Sequence, residues 1–288
     1  MRSPNSYSTA RYGAVGRRFL ITPHSENVSR YCSIIMATTA DTALRSLLAD
    51  LQSLRFDREE KTSELETLTD YLEIVAVAAG EKPSHLQGQG SRSRSAIRAI
   101  ESVARAHGLL VMHTHPVPTH WHRAPNYDAR FFEWERQRER DTVAKEPPVL
   151  WVYRDPHLEP AIRAAVDGET DLAEVLGYPA CCVRENSELG IRMSEAVVRG
   201  YQIRYGAEGA DDLIRLAKEG ARVTIPPAEV PHFRRVFSYV QFSPCRECAE
   251  MASSPAAEIN WAMKRLAARL SPAFQRAIDN AARRRNRR

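Results

Sequence analysis

A chain of 288 residues with 43% hydrophobic side chains carries enough apolar material for a core and needs no disulfide staples to fold. Its 41 basic and 36 acidic residues leave a net charge of +5, too small over this length to mark a dedicated nucleic-acid binder. No apolar run approaches the roughly 18 residues of a membrane span.

The positive excess sits at the two ends. Residues 1–35 hold five arginines and one acid, Glu26, and the last six residues, RRRNRR, hold five more arginines. Residues 1–35 lack an apolar h-region, and their Arg- and Ser-rich character faintly resembles an organellar transit peptide. They read best as a disordered N-terminal extension or as residues upstream of a start at Met36. Without a secretory signal the expected location is cytoplasmic, a reducing setting where clustered cysteines mean metal or catalysis more often than disulfides.

From Leu44 the apolar positions Leu44, Leu47, Leu48, Leu51 and Leu54 keep helical spacing, with Thr39 or Asp41 as the N-cap. A second set, Leu65, Leu68, Leu72, Val75 and Ala79, runs to Gly80 and Pro83. The two form a helical hairpin whose leucine stripes are core. The segment EKPSHLQGQGSRSRS breaks the period. Its glycines with Arg92 and Arg94 before a helix could cradle a phosphate. They match no phosphate-binding fingerprint, however, and read as a solvated linker.

Helical spacing resumes at Ala96, Ile97, Ile100 and Val103. LLVM after Gly108 predicts a buried strand, residues 128–144 a long polar helix, and PPVLWVY another strand. Residues 157–186 predict short helices broken at Gly168 and Gly177; MSEAVVRGYQIRY and ADDLIRLAKEG predict further helices. RRVFSYVQF alternates like a strand, and a C-terminal helix carries Ile259, Met263, Leu266 and Leu270 up to Pro272. The fold class that follows is α+β, helix-dominated, with a small sheet, the N-terminal helical hairpin packing on a cysteine-containing domain. The expected organisation is an extension over 1–35, a helical region over 36–107 and a metal-binding α+β region over 108–288.

Four of the five cysteines lie in two short segments, EVLGYPACCV with Cys181 and Cys182, and SPCRECAEMASS with Cys245 and Cys248. Each has a proline, Pro179 or Pro244, just ahead of its first cysteine and helix-compatible residues behind it. A helix start stabilises thiolate, the form that binds metal. Four thiolates together demand a cation, so the pattern predicts one shared centre, an iron–sulfur cluster or, alternatively, zinc. Adjacent cysteines point apart in a strand, so both reach one centre only from a turn or helix start, or by binding different irons. Buried filler and a Cys245–Cys248 dithiol redox pair are the competing readings.

LGYPACCV together with SPCRECAEMASSPAAEINWAMKRL resembles a prokaryotic family of unknown function. Its members carry Leu-Gly-Tyr-Pro-x-Cys-Cys and, later, Pro-Cys-x-x-Cys before a long helix. The resemblance covers roughly residues 150–275 and implies no reaction. It singles out Tyr178, Pro179, Cys181, Cys182, Pro244, Cys245 and Cys248.

His113, His115, His120 and His122 crowd into HTHPVPTHWH. The His-x-His-Pro phrase is similar to the metal-binding motif of zinc isopeptidases of the deubiquitinase type. Their following serine and aspartate are Ala124 and Tyr127 here, with Asp128 one place late, which removes most of that implication. His113 and His115 are then candidates for acid–base catalysis or substrate contact beside the cysteine centre, against the plainer reading of a surface loop.

The leading expectation is a cysteine-ligated metalloprotein, an iron–sulfur-dependent enzyme acting on a small-molecule substrate or serving an electron-transfer partner. The alternatives are a zinc-stabilised nucleic-acid-binding or interaction protein, with RRRNRR touching RNA or DNA, and a CxxC dithiol oxidoreductase.

Overall fold

The computed structural model describes residues 40–55, 63–87, 93–115, 129–143, 148–167, 170, 172–224 and 237–285. The chain divides into Met1–Ala40 and Asp41–Arg288, and apart from Ala40 everything below belongs to the second unit. Cys32, the glycine loop at 88–92, His120, His122 and the residues of the isopeptidase-like phrase beyond His115 lie outside the described residues.

The helical hairpin is present. Helix α1 (residues 40–53) buries Leu44, Leu47, Leu48 and Leu51. Helix α2 (Glu64–Ala79) begins at a capping box in which Ser63 and Glu66 satisfy each other's backbone donors. It ends at Gly80 in the left-handed conformation. Strand β1 (Ser84–Gln87) follows, then α3 (Arg94–Ala106), β2 (Leu110–Thr114), α4 (Ala129–Val143) and β3 (Val149–Tyr153).

The three strands form one antiparallel sheet of order β1-β3-β2. Central β3 pairs Ser84 with its Tyr153 on one side and Leu110 with the same Tyr153 on the other. All five β3 residues are buried because the sheet is covered on both faces. Leu150 and Val152 point into the main core with α1, α2 and α3 and the two C-terminal helices. Val149, Trp151 and Tyr153 point into a smaller core on the opposite face.

That smaller core is closed by α5 (Glu159–Val166) and α6 (Leu172–Val175). Helix α7 (Ala180–Tyr205) is 26 residues long, about 39 Å at 1.5 Å per residue. Its first turn lies in the main core, and its second half packs Val198 and Tyr201 with α4 and α8 (Ala210–Lys218) in a third cluster. Helices α9 (Arg246–Glu250), α10 (Pro255–Leu270) and α11 (Pro272–Arg285) follow, with the interruption expected at Pro272 and a new helix opening there.

Three expectations are corrected. Residues 180–186 do not form a separate short helix; they open α7, which runs through Gly190 without a break. Ser84–Gln87, inside the expected linker, is a strand. The described part of RRVFSYVQF, residues 237–242, is not a strand. Its apolar side chains Tyr239, Val240 and Phe242 pack into the main core, but two of its backbone donors go to side chains: Tyr239 N–H to Asn260 Oδ1 at 3.0 Å and Gln241 N–H to Glu73 Oε1 at 3.3 Å.

Candidate metal centre

Helix α6 terminates in a Schellman motif: Tyr178 N–H donates to the Ala173 carbonyl at 2.9 Å and Gly177 N–H to that of Glu174 at 3.1 Å. Gly177 has φ +72°, and a Cβ there would stand 2.8 Å from Pro83 Cδ, so glycine is required twice over. The reversal delivers Pro179 as the N-cap of α7, which puts Cys181 and Cys182 in its first turn. Adjacent cysteines there diverge by only about 100°, so both can serve one centre.

The second segment arrives from residues 237–244. Cys245 is the N-cap of α9, and its sulfur accepts the Cys248 N–H at 3.4 Å. The four Sγ atoms of Cys181, Cys182, Cys245 and Cys248 all lie within 4.8 Å of one another, the one such cysteine, histidine and carboxylate group among the described residues. Cys181 and Cys248 are the 3.5 Å pair. Cys182, Cys245 and Cys248 are buried and Cys181 is half-buried.

Specific bonds hold the segments together. Cys245 N–H donates to Cys182 Sγ at 3.3 Å. Asn186 Nδ2 donates to the carbonyls of Cys182 and Ser243, both at 2.8 Å. Arg246 N–H donates to Glu185 Oε1 at 2.9 Å, and Ser254 Oγ to the Cys248 carbonyl at 2.9 Å. The first N–H groups of the α9 segment thus meet acceptors on α7 at the seam.

The thiols differ in their electrostatics. Burial pushes the Cys182 and Cys245 thiols above the usual range. At Cys248 burial also raises the thiol, but the Ala256 N–H and the surrounding cysteines outweigh it and leave the thiol lowered. Cys248 is thus the thiol whose charged form its surroundings favour, and gathering further negative charge in the same space would require a positive ion.

Beside the centre lies a buried polar cluster absent from the sequence-based candidates. His85 Nδ1 is 2.8 Å from Glu73 Oε2 and its Nε2 is 3.1 Å from Gln87 Oε1. Gln87 Nε2 donates to Asp70 Oδ2 at 2.9 Å, and Lys82 Nζ pairs with Glu73 at 2.5 Å. Burial alone raises Glu73, yet Lys82 first and His85 next bring its carboxyl down to about 2. The available signal was Asp70 and Glu73 at i and i+3 on the buried part of helix α2.

His113 and His115 are exposed at the β2 edge. His113 Nε2 is 2.8 Å from Glu101 Oε2 of α3, and the Glu101 carboxyl is lowered although partial burial opposes this, through His113 and Arg105. No hydrogen bond or ion pair among the described residues joins either histidine to the cysteines. No family model, curated protein or solved structure matches this chain.

Proposed function

We propose that Cys181, Cys182, Cys245 and Cys248 hold one metal ion in a closed tetrahedral site, zinc by its all-thiolate donor set, bracing the meeting of α7, α9 and the main core. The observation that carries this reading is the mutual 4.8 Å limit on the four sulfurs. Metal–sulfur bonds of about 2.3 Å put tetrahedral ligands about 3.8 Å apart. An iron–sulfur cluster whose irons take one thiolate each spreads them further. Four protein ligands in a mostly buried site favour a structural role over Lewis-acid catalysis.

Anaerobic purification with elemental analysis tests this. One zinc per chain in colourless protein is the expected result. Brown protein with iron and acid-labile sulfide would replace zinc by the cluster, and with it favour the electron-transfer or enzyme reading. Metal-free protein with a reactive Cys245–Cys248 pair would favour the dithiol reading.

Acid–base use of His113 and His115 is a separate part of the proposal, supported by the carboxylate that orients His113. Nucleic-acid contact is favoured by another observation. Half-exposed Trp261 on α10 has Lys264 Nζ 5.2 Å from its ring centre, and Arg265, Arg276 and Arg283 are exposed on α10 and α11. Binding of single-stranded RNA that weakens steeply with salt and loses about 1–3 kcal/mol in Trp261→Ala is the expected result, and salt-independent binding would count against it.

A further inference from the structure

Both cysteine segments are fastened to the same buried charge cluster, by different arms. One arm starts at Glu73, pairs with Lys82 at 2.5 Å, and continues to Tyr178, whose ring centre is 5.4 Å from Lys82 Nζ. Tyr178 stands three residues ahead of Cys181. The other arm ends at Gln241, four residues ahead of Cys245. Gln241 N–H donates to Glu73 Oε1 at 3.3 Å, and its side-chain amide donates to Asp70 Oδ1, to Thr69 Oγ1 at 3.3 Å and to the Glu66 carbonyl at 3.4 Å. The arms close on each other where the rings of Tyr178 and Phe242 pack at 4.8 Å.

The cluster is built rather than incidental. Asp70, Glu73, His85 and Gln87 are each at most 5% exposed, on a main-core helix and on strand β1, whose Leu86 packs into the smaller core. Buried carboxylates of this kind cost several kcal/mol unless partnered, and the partners here are side chains and the backbone of the segment leading to Cys245. Removing the Gln241 amide takes one donor from Asp70 and leaves the segment before Cys245 without its side-chain tether to α2.

We infer that Asp70, Glu73, Lys82 and Gln241 are positioning residues of the metal centre: they set the separation of the two cysteine turns before any metal arrives. This rests on the metal-centre reading above. Pre-set ligands lose less conformational freedom on binding, so the cluster raises metal affinity without touching the metal.

The test uses the full chain, with Zn(II) affinity from chelator competition and the absorption of the Co(II)-loaded protein. Gln241→Leu and the near-isosteric Asp70→Asn are expected to lose about 10–100-fold in Zn(II) affinity, the range typical of outer-shell changes. Both should shift the thiolate-to-cobalt and ligand-field bands. Gln241→Glu should lose affinity similarly. The pair Gln241→Glu with Asp70→Asn restores one donor and one acceptor in reversed order and should regain most of it. Trp151→Phe, on the far face of the sheet, is the control for stability alone and should leave affinity and spectrum unchanged. Should Gln241→Leu not fold, Asp70→Asn and the exchanged pair decide the matter. Variants that melt earlier yet bind Zn(II) within threefold of the unchanged chain, with an unchanged cobalt spectrum, would make the cluster merely structural and overturn the inference. Failure of the unchanged chain to bind either ion would instead remove the metal centre itself.

Discussion

The sulfurs of Cys181 and Cys248 stand 3.5 Å apart across 67 residues of sequence, one in the first turn of a 26-residue helix and the other within a five-residue one. Nothing local brings them together. The seam between α7 and residues 243–248 does, and it rests on a small number of named bonds, each of which can be removed singly.

Removing metal should loosen the main core, because Cys182, Cys245 and Cys248 belong to it. At free metal 1,000-fold above Kd, the bound form gains about 4 kcal/mol. For a unit of this size that is roughly 10 °C in Tm. Calorimetry before and after chelation should show that drop, and Cys248→Ser should melt at the chelated value whether or not metal is added.

Asn186 spans the seam with two 2.8 Å bonds. Asn186→Ala should cost about 1–3 kcal/mol in urea unfolding, since the Ser243 carbonyl loses its described side-chain donor at a partly buried position. An unchanged midpoint would mean that solvent replaces the amide there.

Gly177 and Gly108 form a matched pair, with φ of +72° and +76°. A Cβ at Gly108 meets nothing within 4 Å, whereas one at Gly177 meets Pro83. Gly108→Ala should therefore show only the left-handed backbone penalty, about 1–2 kcal/mol. Gly177→Ala should exceed it and also weaken metal binding, because the same turn aims Cys181. Equal losses would show that Pro83 yields freely.

Glu73 makes stability depend on acidity with a defined sign. Its folded carboxyl, at about 2, lies below the ordinary 4.5, so the unfolded chain binds the proton more readily. The stabilisation is complete above pH 4.5 and disappears as pH falls from 4.5 towards 2. It is on the order of 3 kcal/mol. Urea titrations in chelator, which keeps metal release out of the comparison, should show this acid limb in the unchanged chain and a flatter one in Glu73→Gln.

Several elements could be read directly from residue order. The leucine spacing of α1 and α2, the apolar run of β3 and the proline between α10 and α11 are local signals, because helix period, strand burial and proline geometry act over a few residues. The four cysteines were equally legible as a set, since thiolate chemistry and helix-start prolines are written in the sequence. What residue order could not express was pairing between polar groups far apart. Strand β1 hides because His85 and Gln87 look like loop residues until Asp70 and Glu73 of α2 face them. Residues 237–242 imitate a strand because their aromatic and β-branched side chains pack into the main core, while Asn260 and Glu73 take the N–H groups a neighbouring strand would have used.

The sequence by itself determined the helix-rich class and which thiols could share an ion, because both follow from side-chain chemistry and short-range periodicity. Only the tertiary structure decided that the two cysteine turns meet, and that a buried acidic cluster tethers the segments leading into both. Such meetings depend on burial and on partners brought from distant parts of the chain, and hydrogen bonds across those distances leave no periodic trace in residue order.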